Sequence, residues 1–189
     1  AAEFKPEKST LAVEHKHERP LTACHWDPLG RFVFFGAEDH LVHRYDVASK
    51  MVTPLAGHDS WVRGLASSPD GEVFYSAGYD GRLIVWGAAD AAPVPRKIVE
   101  AHQGWIRAVA VSPNGQLVAT CGNDQFIRLW SRDGDPVSES QGHASHIYNV
   151  IFSADSSTVF SCDLKGVVRR LSVATGESSE VLTVAALHG

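Results

Sequence analysis

Gly57-His58-Asp59-Ser60-Trp61-Val62-Arg63, followed by Ser68-Pro69-Asp70-Gly71 and closed by Asp80-Gly81-Arg82-Leu83-Ile84-Val85-Trp86, is the stretch whose pattern sets the fold of this chain. Trp61 to Ala66 is a short run that ends at the Ser-Pro-Asp-Gly turn. Val73-Phe74-Tyr75-Ser76-Ala77 follows, then a second turn at Tyr79-Asp80-Gly81, then Leu83 to Trp86. Short runs of β-branched and aromatic residues punctuated by Pro, Asp and Gly read as strands joined by tight turns, because Pro presets φ and Gly accepts a positive one. No window carries the 3.6-residue apolar period of a helix.

The pattern recurs along the chain. His17, His58, His102 and His143 are spaced by 41, 44 and 41 residues. Asp39, Asp80, Asp124 and Lys165 each stand 22 residues after their histidine, and Tyr45, Trp86, Trp130 and Leu171 six residues further on. Three columns at constant offsets mark an internal repeat of the length of a four-stranded propeller blade. The three extra residues between the second and third histidines fall in Gly87 to Pro95, a loop insertion. Repeat 3 copies repeat 2 with Pro113-Asn114-Gly115, Leu117-Val118-Ala119-Thr120 and Phe126-Ile127-Arg128-Leu129-Trp130. An outer strand precedes each histidine, as at Arg96-Lys97-Ile98-Val99. This predicts one all-β propeller region over residues 1–189, with four-stranded antiparallel blades. Repeats are expected near 9–47, 48–88, 89–131 and 132–173, and a closing outer strand at 179–185.

The run from Gly57 to Trp86 resembles the WD-repeat family, of the kind found in bacterial repeat arrays, and the resemblance extends from about residue 9 to the C-terminus. In that family a buried tetrad of His, Ser or Thr, Asp and Trp ties each blade. The resemblance implies His58, Ser76, Asp80 and Trp86 in repeat 2, and His102, Thr120, Asp124 and Trp130 in repeat 3. A satisfied buried network rigidifies a blade, whereas an unpaired member would destabilise it. Repeat 1 keeps His17 and Asp39 but has Phe35 and Tyr45 in the other places. Repeat 4 keeps His143 and Ser161 but has Lys165 and Leu171, so both outer blades are expected to lean on apolar packing. The resemblance also implies a partner-binding rim: Trp61, Arg63 and Tyr79; Trp105, Arg107 and Asn123; His146, Tyr148 and Leu164; and, more weakly, Pro20, Thr22 and Glu38.

Four repeats raise the question of closure, since propellers close with four to eight blades. Three arrangements remain open: a piece of a longer propeller, a four-bladed ring, or a half ring that pairs with a second copy to form a homodimer of eight blades. A strand-like segment at Ser9 to Glu14 precedes the first histidine, and another at Ser179 to Val184 completes the fourth blade.

A formal charge of -5 over 189 residues, with no basic stripe, argues against nucleic acid and anionic membranes as partners. The three cysteines, Cys24, Cys121 and Cys162, have no CxxC spacing and are expected to be small buried hydrophobes. No nucleophile with a base, paired carboxylates or phosphate-cradling loop emerges, so no catalytic residue and no cofactor is expected. Asp133-Gly134-Asp135-Pro136 reads as a polar turn, not a cation loop. His15 and His17 form an HxH pair, and His40 and His43 flank a strand, without a ligand spacing that calls for a metal. The function these features suggest is a non-enzymatic scaffold for protein partners. The alternatives are a regulatory or sensory segment of a larger enzyme, or a small-ligand site in the central channel.

Overall fold

The computed structural model describes residues 14–91 and 93–184. Every regular element among them is a strand, in four antiparallel sheets of four. Sheet 1 holds β1 (Leu21–Trp26), β2 (Phe32–Ala37), β3 (Val42–Asp46) and β4 (Val52–Leu55). Sheet 2 holds β5 (Val62–Ser67), β6 (Val73–Gly78), β7 (Arg82–Gly87) and β8 (Pro95–Glu100). Sheet 3 holds β9 (Ile106–Val111), β10 (Leu117–Gly122), β11 (Phe126–Ser131) and β12 (Pro136–Gln141). Sheet 4 holds β13 (Ile147–Phe152), β14 (Thr158–Asp163), β15 (Val167–Ser172) and β16 (Ser178–Thr183). Within each sheet the strands pair in chain order, as tight hairpins require.

The turns recur at fixed places because the backbone needs a positive φ there. Gly30, Gly71, Gly115 and Ser156 occupy one left-handed column, and His40, Gly81, Gln125 and Gly166 another. Glycine adopts this conformation without a Cβ penalty; His40, Gln125 and Ser156 are held in it by the hairpins around them.

Each sheet is offset by one strand from the sequence repeat. β8, which precedes His102, pairs with β7 and so closes sheet 2, and β16 closes sheet 4 in the same way. The strand expected at Ser9 to Glu14 lies outside the described residues except for Glu14, which is in no strand.

Three cores join the four sheets in series. Phe32, Phe34, Val42 and Leu55 of sheet 1 pack against Val62, Phe74, Ile84 and Trp86 of sheet 2, with Phe34 stacked on Phe74 at 3.8 Å between centroids. Tyr75, Ala77, Leu83 and Val85 meet Ile106, Val118 and Trp130 in the second core. Ala119, Cys121, Ile127 and Leu129 meet Ile147, Val150, Val159 and Leu171 in the third. A strand such as β6, buried along its whole length, follows from this: an inner blade is covered on both faces, so both of its side-chain rows are buried and, Ser76 apart, apolar.

The terminal faces are different. On the far side of sheet 4, Asn149, Ile151, Phe160, Cys162 and Val168 occupy the positions that Ala108, Ala110, Ala119, Cys121 and Ile127 hold on sheet 3, and Ile151 is 57% exposed. On the near side of sheet 1, Leu21, Cys24, Val33 and Tyr45 hold the positions of Ile147, Val150, Val159 and Leu171, and Leu21 is 54% exposed. Burial of all three cysteines is therefore corrected. Cys121 is inside the third core, but Cys24 is exposed and Cys162 partly so, because both are on faces with no further sheet among the described residues.

Candidate functional site

Buried polar clasps hold the blades in shape. In sheet 2, the Trp86 indole N–H donates to Ser76 Oγ at 2.9 Å, and Ser76 Oγ lies 2.8 Å from His58 Nε2. His58 Nδ1 lies 2.9 Å from Asp80 Oδ2, which also accepts the Asp59 N–H, while Asp80 Oδ1 accepts the Arg82 N–H. With the proton on Nδ1 of His58, every donor in this chain meets an acceptor. Sheet 3 repeats the arrangement with Trp130, Thr120, His102 and Asp124 at 2.8 to 2.9 Å, and Arg128 adds a bond to Asp124 at 2.6 Å. Burial pushes the Asp80 carboxyl up, but the hydrogen bond from His58 and the backbone donors of Arg82 and Asp59 help outweigh it and hold it below the usual range. Burial likewise lowers His102, with Asp124 opposing, which keeps the ring neutral.

Sheet 4 has a clasp that the repeat columns hid. Lys165, in the aspartate column, does not take part. Asp163, two residues earlier, faces His143 Nδ1 at 3.0 Å, while His143 Nε2 meets Ser161 Oγ at 2.8 Å. The reason lies in the equivalent position of sheet 2, Gly78, where an added Cβ would fall 2.6 Å from Asp80 Oδ1 and 2.7 Å from His58 Nδ1. A side chain from that column enters the histidine's pocket directly, so an aspartate there replaces one from the turn. Blade 4, expected to lean more on apolar packing, thus keeps a buried polar clasp as well. The detectable signal was a paired exchange, Gly to Asp at one column with Asp to Lys two residues on.

In sheet 1 the hydroxyl column is Phe35, and His17 has no Ser or Thr partner among the described residues. His17 Nε2 instead lies 3.1 Å from Asp39 Oδ2, and His43 Nε2 reaches the same oxygen at 2.9 Å.

The rim is built by a second device. Each innermost strand carries a register break at its first turn: the pairing passes from Leu21 to Ala23, Val62 to Gly64, Ile106 to Ala108 and Ile147 to Asn149. The residues left out of the ladder are Thr22, Arg63, Arg107 and Tyr148. A bulge bends the strand and re-aims the unpaired side chain. Beside each bulge a backbone bond ties the neighbouring loop: Glu38 N to Pro20 O, Tyr79 N to Trp61 O, Asn123 N to Trp105 O and Leu164 N to His146 O.

The side chains so placed form one surface. The Trp61 and Tyr79 rings stack at 6.1 Å, and Tyr79 and Trp105 at 4.3 Å with 7° between planes. The Arg107 guanidinium lies 4.8 Å from the Trp105 centroid, 5.4 Å from Tyr79 and 5.7 Å from Tyr148. It is fixed by bonds to Asn123 Oδ1 at 2.9 Å and the Tyr79 hydroxyl at 3.1 Å, while Arg63 reaches back to the Thr22 carbonyl. Trp61, Trp105 and Tyr148 remain between 41% and 46% exposed, and His146 is exposed beside them. Inward of the rim, the four innermost strands surround a cleft of about 340 Å³ lined by Ala23, Cys24, Arg63, Leu65, Arg107, Val109, Tyr148 and Asn149.

The family model for the WD domain, G-beta repeat, matches residues 49–87, 93–131 and 134–169. The chain belongs to the WD40 family. The matched residues begin after most of sheet 1, the sheet whose clasp lacks both the hydroxyl and the indole of the WD40 pattern. Among its relatives, the chain is 31% identical over 78 residues to the nuclear distribution protein nudF of Emericella nidulans, which covers 41% of this chain and 16% of that protein. It is 33% identical over 82 residues to the UBP9-binding protein bun62 of Schizosaccharomyces pombe (40% and 15%) and 34% over 70 residues to the U5 small nuclear ribonucleoprotein 40 kDa protein of Mus musculus (36% and 20%). The matches thus span a fifth or less of each of these WD40 relatives.

Proposed function

We propose that this chain is a non-enzymatic protein-interaction scaffold whose partner face is the rim of Trp61, Arg63, Tyr79, Trp105, Arg107, Asn123, His146 and Tyr148. The observation that carries the reading is the continuous stack from Trp61 through Tyr79 and Trp105 to Arg107, exposed at its outer surface and locked from beneath. Trp, Tyr and Arg dominate interface energetics because they bury large areas at little cost in side-chain entropy when held in place beforehand. The relatives named for binding or for a ribonucleoprotein assembly agree with such a role. So does the use made of the titratable groups. His58, His102 and His143 have both ring nitrogens engaged, and Asp80, Asp124 and Asp163 are committed to them and to backbone donors. Replacing Trp61, Arg63, Trp105 and Arg107 together by alanine is expected to abolish partner capture in a pull-down while the far-UV circular dichroism stays that of the parent. Unchanged capture would refute this face.

The reading extends to self-association. The exposed far face of sheet 4 offers the set of positions that sheet 3 uses against sheet 4, and the exposed near face of sheet 1 offers the set that receives it. In a two-fold pair each far face would meet the partner's near face, giving eight blades and covering Cys24 and Cys162 together. Light scattering is expected to give twice the chain mass of 20.5 kDa, with both thiols protected from alkylation. A monomer with two reactive thiols would overturn closure by a second copy.

A further inference from the structure

We propose that His17 Nε2, His43 Nε2 and Asp39 Oδ2 form a binding site for one zinc-class divalent cation. In sheets 2, 3 and 4 each clasp histidine has a separate partner on each nitrogen, an aspartate on Nδ1 and a hydroxyl on Nε2. Sheet 1 breaks that rule. Phe35 replaces the hydroxyl, and the two imidazoles turn the same atom, Nε2, toward a single carboxylate oxygen at 3.1 and 2.9 Å. The three ligand atoms all lie within 4.8 Å of one another. An ion about 2.1 Å from each of three tetrahedral ligands spaces them roughly 3.4 Å apart, so the cluster needs only small shifts to accept it.

The surroundings hold the ligands in this arrangement. Asp39 Oδ1 accepts the Leu41 N–H at 3.0 Å, which leaves Oδ2 for the site. The His43 ring is stacked on Phe35 at 5.0 Å and 13°, and the His17 ring packs edge-on to both, 6.0 Å from Phe35 and 4.5 Å from His43. Such outer contacts fix ring orientation, which is how protein sites raise metal affinity. The ligand side chains are 9% to 22% exposed, shielded yet within reach of an entering ion. Two imidazoles and one carboxylate suit zinc and its first-row neighbours, and three protein ligands leave a fourth position for water or another side chain.

The site is independent of the rim, so its test is as well. Tag-free protein is titrated with zinc chloride alone at neutral pH by isothermal calorimetry, alongside His43→Gln and His17→Gln. Glutamine keeps an N–H donor for Asp39 but ligates zinc poorly. The expected result is one zinc per chain and a Tm that rises with zinc in the parent, with binding at least tenfold weaker in each variant. Metal-free Tm and circular dichroism of each variant check that it folds; should one not fold, Asp39→Asn takes its place. No stoichiometric binding by the parent, or equal affinity in the folded variants, would overturn the site.

Discussion

Trp86→Ala is expected to destabilise the protein by about 3–5 kcal/mol, measured by denaturant unfolding. The indole is fully buried in the core between sheets 1 and 2, against Phe74 and Ile84, so its removal leaves a cavity that the surrounding sheets fill only in part. It also strips the N–H donor from Ser76 Oγ at the centre of the clasp. For a chain of this length, about 2–4 °C of Tm accompanies each kcal/mol, so the melt should drop by roughly 6–20 °C. Trp86→Phe separates the two contributions: it keeps most of the volume, and its smaller loss reports the hydrogen bond, worth about 1 kcal/mol. A loss below about 1 kcal/mol in the alanine variant would mean that the first core does not bind the sheets together.

The second large effect is expected at Asp163. Asp163→Ala should cost about 1–3 kcal/mol, because it strands the buried Nδ1 of His143 and two backbone N–H groups, of Lys165 and Val167, that the carboxylate accepts. Lys165→Ala, at the position where the repeat places the aspartate, should stay within about 0.5 kcal/mol, since that side chain is exposed. Equal effects at the two positions would reverse the reassignment. The pH dependence has a definite sign. Burial pushes the Asp163 carboxyl up, but the N–H groups of Val167 and Lys165 and the His143 ring outweigh it, so its folded pKa is depressed. A depressed carboxylate contributes stability above its unfolded pKa of about 4, and that contribution is lost as pH falls through the folded value. The acid limb of the stability curve should therefore be shallower in Asp163→Asn than in the parent.

The clasps of sheets 2 and 3 were implied by the resemblance to the WD-repeat family, whose His, Asp and Trp columns recur at fixed offsets in this chain. In sheets 1 and 4 only His17, Asp39, His143 and Ser161 stood in the expected columns. Asp163 and His43 act from columns that hold Gly78 and Ile84 in sheet 2, and a column carries no record of which side chains share a pocket. The resemblance likewise implied the rim positions, but the bulges that expose Arg63, Arg107 and Tyr148 exist only in the pairing of one strand with the next.

The repeat, the all-β class and the strand order within a blade follow from the linear chain, because periodic apolar runs, turn residues and polar columns are local properties, while the inner clasps follow from the family the chain resembles. Gly57 to Trp86 contains nearly all of that information. The assignment of β8 to the preceding blade, the takeover by Asp163, the convergence of His17, His43 and Asp39, and the two open faces at Leu21 and Ile151 belong to the folded molecule. Each depends on which surfaces meet across distances of tens of residues, and side chains that share a pocket need share no spacing in the chain.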